Sequence, residues 1–158
     1  MRWEVEVRSA GATGPTGASG LTNYLYTYDP TNQSVTVGSA ITFNTNGPIV
    51  GIALSHVAGT TNFIINTIGT YIAEFTLTTV QANQLSFVLN NAPIPGGRYG
   101  TGVNWIQITG RIAFTVTRVP FTLTLVNNTS TTGTVTFSNN EGGTLTAVSA
   151  GINVYRIG

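Results

Sequence analysis

One histidine, five carboxylates and a large stock of hydroxyls are the groups in this 158-residue chain that could do chemistry. A Ser-His-Asp set would have to join His56 to Asp29 and a serine, yet no Gly-x-Ser-x-Gly elbow marks a nucleophile. A metal would need more ligands than His56 and a few scattered acids, and without cysteine there is no thiolate site. Glycosidase chemistry needs paired carboxylates. Two of the five acids, Glu4 and Glu6, lie in the first nine residues, and the rest are Asp29, Glu74 and Glu141. Asp29-Pro30 and Glu141-Gly142 read as turns. His56, following the apolar run 49–55 and close to Gly59, reads as a turn or surface histidine. The glycine-rich stretch from Gly96 to Gly102 lacks the lysine and the helix of a phosphate loop and reads as a flexible strand connection. The expectation is a protein that is not an enzyme and uses no cofactor and no metal.

Three residues suit recognition instead. Arg98 and Tyr99 read as a polar-aromatic contact at a loop tip, with Trp105 close behind. Acceptor sequons at Asn32 and within Asn127-Asn128-Thr129-Ser130 read as accidents of a chain rich in Asn and Thr. Glu74 is the one acid inside a strand pattern. A buried carboxylate needs a partner, which Arg111 or Arg156 could supply; the other reading leaves Glu74 facing water.

Those groups sit in an unusual background. Only 7% of residues are charged, there is no lysine, and the net charge is +1, against about a quarter charged in ordinary domains. Such a surface offers no footprint for nucleic acid or anionic lipid. With 41% apolar residues the chain is not disordered, and no apolar run is long enough to span a membrane. A surface of Thr, Ser, Asn, Gln and Gly suits extracellular stalks, shells and fibre heads. With no cysteine to form disulfides, self-association is the device that could supply stability.

Two periodicities organise the chain. Glycine recurs at Gly11, Gly14, Gly17 and Gly20, the triplet signature of a collagen strand, in which only glycine fits at the axis shared by three chains. Three triplets are too short to hold a trimer, so the association energy must come from the chain beyond Gly20. There, short β-branched and aromatic runs occupy 21–28, 35–43, 49–55, 62–66, 70–80, 85–90, 103–109, 111–118, 121–126, 132–138 and 152–157. Gly, Pro, Asn and Asp turns separate them, as in an all-β sandwich or barrel. Residues 1–10 form a leader or anchoring arm, with two readings open: a native anchor, or the remnant of an upstream or engineered segment. Residues 11–20 are the collagen-like segment, and 21–158 form the β-domain.

Alternation in two runs assigns faces. Tyr71, Ala73, Phe75 and Leu77 share a core face, as do Ile112, Phe114 and Val116. The opposite faces carry Ile72, Glu74 and Thr76, and Arg111 and Ala113, small and nearly uncharged. They suit either packing against copies of the same chain around a threefold axis or a solvated threonine-rich surface.

The order of these segments resembles the C-terminal domain of BclA-type collagen-like glycoproteins of the spore exosporium. The triplets are followed by Leu21-Thr-Asn-Tyr-Leu-Tyr26, Ile41-Thr-Phe-Asn-Thr45, Asn62-Phe-Ile-Ile65 and Ile68-Gly-Thr-Tyr71. Then come Leu89-Asn-Asn-Ala-Pro-Ile-Pro-Gly96 and a closing Ile152-Asn-Val-Tyr-Arg-Ile157. The spacing from Phe63 to Tyr71 is shared more widely with tumour-necrosis-factor and complement-type jelly rolls. The resemblance covers nearly everything from Gly11 onward. It implies a jelly-roll sandwich of about ten antiparallel strands that forms a homotrimer and nucleates a collagen-like stalk at the tip of a surface filament. Interface positions would include Ile72, Glu74, Thr76, Arg111, Ala113 and Arg156, and the stalk threonines Thr13 and Thr16 would carry glycans. Partners would be the chain itself, other exosporium or fibre proteins, and host-cell or glycan receptors. Related heads cap phage fibres, which gives the alternative of a receptor- or carbohydrate-binding head. Members of this family usually have a long collagen region and an anchoring segment; by comparison, this chain reads as a shortened piece.

Overall fold

The computed structural model describes residues 1–4, 11 and 20–158. Most of the leader and the triplets between Gly11 and Gly20, with Thr13 and Thr16, lie outside the described residues. Among the described residues the secondary structure is β throughout, in twelve strands. These are β1 (Tyr24–Asp29), β2 (Gln33–Val35), β3 (Thr45–Val50), β4 (Leu54–His56), β5 (Phe63–Ile65) and β6 (Gly69–Thr79). They continue with β7 (Asn83–Leu89), β8 (Ala92–Thr101), β9 (Ile106–Val116), β10 (Phe121–Asn127), β11 (Val135–Phe137) and β12 (Ala150–Arg156).

All pairings are antiparallel and make two sheets. One runs β9-β6-β12-β1-β3, with the short β2-β11 pair attached to the end of β6; the other runs β4-β5-β10-β7-β8. The alternation in β6 and β9 sends Tyr71, Ala73, Phe75, Leu77, Ile112, Phe114 and Val116 inward. They meet Phe63, Phe87, Leu123 and Leu125 from the opposite sheet in a single apolar core. Burial of this alternating face is the main stabilising contribution, at roughly 25 cal/mol per Å² of apolar surface.

Two seams close the sides of the sandwich. On one side Tyr99 of β8 sets its ring edge-on to Phe75, centroids 5.9 Å apart, and donates its hydroxyl to the Arg111 carbonyl of β9. Gly110 makes this possible, because a Cβ there would collide with the rings of Phe75 and Tyr99. On the other side His56 of β4 faces Asn46 of β3: the Asn46 amide donates to the His56 carbonyl at 3.0 Å, and its oxygen lies 2.6 Å from Nδ1. The imidazole stacks on Phe63 at 4.6 Å and sets Nε2 3.1 Å from the Thr60 carbonyl. His56 is therefore a buried seam residue, not the turn or surface histidine expected, because an apolar wall and acceptor oxygens, one of which the single N–H of a neutral ring can meet, wait for it inside.

Several strand bounds differ from expectation. The run 49–55 is two strands in different sheets, broken at Gly51, whose φ of 81° suits glycine. There the Asn23 side-chain oxygen accepts from the amides of Ile52 and Ala53 at 3.0 Å, fixing the crossover. The stretch from Gly96, read as a flexible connection, belongs to β8 up to Thr101. As an edge strand β8 tolerates Pro93 and Pro95. The expected runs 103–109 and 111–118 are one strand, β9, passing straight through Gly110.

Candidate functional site

The outward face of the seven-stranded sheet is a lattice of side chains set by register. Across β9, β6, β12 and β1 one row reads Ala113, Ile72, Tyr155 and Tyr24. The next reads Arg111, Glu74, Asn153 and Tyr26, and the third Thr109, Thr76, Gly151 and Tyr28. Gln107 and Thr78 begin a fourth. The β9 members are exposed, whereas the tyrosines of β1 are half-buried.

Glu74 and Arg111 are the charged members of these rows, and they answer one another. Arg111 Nε lies 2.7 Å from Glu74 Oε1, with side-chain exposures of 73% and 27%. Asn153 donates to the other carboxylate oxygen at 3.3 Å, and the Tyr155 hydroxyl lies 3.5 Å from Oε1. An ion pair this exposed contributes only about 0–1 kcal/mol. Its consequence is electrostatic: among the described residues the face carries no net charge, its acid and base answering each other.

β1 supplies the aromatic border. Tyr26 and Tyr28 stack with centroids 5.6 Å apart, and burial followed by the neighbouring Tyr28 pushes the Tyr26 hydroxyl pKa up. Between this border and Arg111 lies an open groove of about 570 Å³, with Gly151 and Thr76 in its lining. The alternation Tyr24-x-Tyr26-x-Tyr28 and the pair Asn153-x-Tyr155 were the available signals for these members, which a search for reactive groups passes over.

Of the anticipated interface residues, Ile72, Glu74, Thr76, Arg111 and Ala113 come together on this lattice. Arg156 does not: it sits at the end of β12, where its Nε donates to the Ile68 carbonyl at 3.3 Å. Among the recognition residues, Arg98 lies on β8 with Nε donating to Ser86 at 3.2 Å, and Tyr99 is occupied at the seam; neither is on a loop tip. Trp105 is 63% exposed in the turn before β9. Asp29 is buried and accepts from the Thr31 amide, the Thr31 hydroxyl and the Gln33 amide, an Asx turn. Glu141 accepts from Ser138 in the 138–149 loop. Asn127, the first acceptor of the 127–130 stretch, is fully buried and donates to the Val35 and Gly133 carbonyls, out of reach of glycosylation.

No protein-family model matches the chain, and no curated protein matches it by sequence. Solved structures do match in fold. The globular domain of zebrafish complement 1qA protein superposes with a TM-score of 0.60 at 10% identity, covering 86% of this chain and 98% of that one. The vertex protein P5 of PRD1 gives 0.54 at 11% identity, covering 89% and 100%. Eiger TNF from S. frugiperda gives 0.53 at 11% identity, covering 88% and 94%. The chain therefore has the jelly-roll fold of complement 1q and tumour-necrosis-factor proteins, with sequences too distant for the likeness to carry more than fold.

Proposed function

We propose that this chain is a structural, non-catalytic head that forms a homotrimer through the outward face of the seven-stranded sheet and so brings three collagen-like stalk strands into register. The observation that carries the reading is the charge-balanced lattice, whose one acid and one base are paired inside the chain. Burying an unpaired charge is costly, and this face asks for no such burial. Its tyrosines are the residues that interfaces favour, and a closed ring of three uses the same patches on every copy.

The stalk follows from chain entry. Gly20 and Leu21 lie beside Arg156, Ile157 and Gly158 at one end of the sandwich, so a trimer would release its three triplet strands together. Holding them at high effective concentration lets a segment too weak to trimerise alone wind into a triple helix. The resemblance to BclA-type heads supports placement at the tip of a spore exosporium filament, with glycans on Thr13 and Thr16. The likeness to a vertex protein supports the second reading, a virion fibre head.

Extending the triplet run upstream tests this role. With the head attached, the extended stalk should refold after heating at least about tenfold faster than the same stalk alone, followed by the circular dichroism of the triple helix. Equal refolding rates with and without the head would remove the proposal.

A further inference from the structure

We infer that the groove beneath Trp105, at the end of the sandwich away from chain entry, is a binding site for a neutral pyranose sugar. β6 separates the two ends: Thr70 near its start is bonded to Gly158, while Val80 just past its end accepts from the Trp105 amide. The groove holds about 490 Å³, a ligand-sized volume. Trp105 and Val148 line it as an apolar wall, with Thr78, Gln107, Ser138 and Glu141 as its polar lining.

Three observations select a sugar. First, the Trp105 backbone has φ of 55°, a conformation that bulky side chains seldom adopt. Nothing in core packing calls for a tryptophan there, since its ring is 63% exposed. An unfavourable backbone that presents a large ring to solvent is the kind of local cost found at binding sites.

Second, polar groups in the lining stand ready. Among the described residues the indole N–H, the Gln107 amide and the Thr78 hydroxyl make no side-chain hydrogen bond. The Glu141 carboxylate spends one oxygen on Ser138, at 2.7 Å, and keeps the other. A pyranose offers what this set lacks: an apolar face of C–H groups for the indole, and hydroxyls that both donate and accept. Third, among the described residues no arginine lines the groove, and the one charge is the Glu141 carboxylate. Sialylated or sulfated sugars would meet repulsion there.

The inference goes beyond the trimer reading and does not depend on it. The test uses the full chain, with saturation-transfer NMR against methyl β-galactoside, methyl β-glucoside and N-acetylglucosamine, and an array of neutral and acidic glycans. Oligomeric state is recorded on the same samples. At least one neutral probe should bind. Trp105→Asn, which suits the left-handed backbone better than tryptophan and so spares the fold, should weaken that binding at least about tenfold. Gln107→Ala should weaken it by a smaller factor. Silence from all neutral probes, undiminished binding by Trp105→Asn, or a preference for acidic glycans would each overturn the inference. A monomer that still binds sugar would count against the trimer alone.

Discussion

At the scale of single residues, His56 shows how burial redirects a titratable group. Burial lowers its pKa from the ordinary histidine value, and the Thr60 carbonyl offsets this in part. The fold thus favours the neutral ring, while the unfolded chain takes up a proton first as pH falls. The stability this provides is fully present above about pH 6.5 and is lost as pH falls through the lower folded-state value. The wild-type melting temperature should therefore drop more between pH 7.5 and pH 5 than that of His56→Gln. Equal drops in the two proteins would show that His56 does not titrate as its surroundings require. Its sequence neighbours, Ser55 and Val57, could not reveal this, because Asn46, Thr60 and Phe63 reach the ring only through folding.

At the scale of elements, alternation was the most legible signal, and glycine the most misleading. The inward and outward faces of β6 and β9 were readable because large apolar side chains recur at every second position. The extent of β9 was not, since Gly110 looks like a break; it is a strand residue kept small for the Phe75 and Tyr99 rings. β8 was hidden for a related reason: its prolines and glycines signal a turn, but an unpaired edge accommodates them. The crossover at Gly51 divides one apolar run between two sheets, which no local pattern encodes. Gly110→Ala should cost about 1–3 kcal/mol, as overpacking of a dense core does, seen as a lower urea midpoint with an unchanged slope. A neutral effect would mean that the seam is loosely packed. The five members of the lattice named from sequence were legible through the same alternation. The tyrosine border was not, because its rows form only when β1 and β12 pair.

At the scale of the whole molecule, the low charge content acquires a location. A chain with so few charges on its surface gives up the repulsion that keeps monomers apart, and on the seven-stranded sheet the remaining pair is internally compensated. Assembly through the first three rows of that face and release of three stalk strands at one end would leave the other end for sugar capture, where Thr78 and Gln107 of the fourth row line the groove.

Assembly is read most plainly from the mass of the full chain, by light scattering during size-exclusion chromatography at micromolar concentration, for the wild type and for Ala113→Arg. Ala113 is exposed and lies two residues along β9 from Arg111, so an arginine there leaves the core untouched and adds uncompensated positive charge to the lattice. The wild type should run as a trimer and Ala113→Arg as a folded monomer. A wild-type monomer, or a trimer that Ala113→Arg leaves intact, would refute assembly through this face.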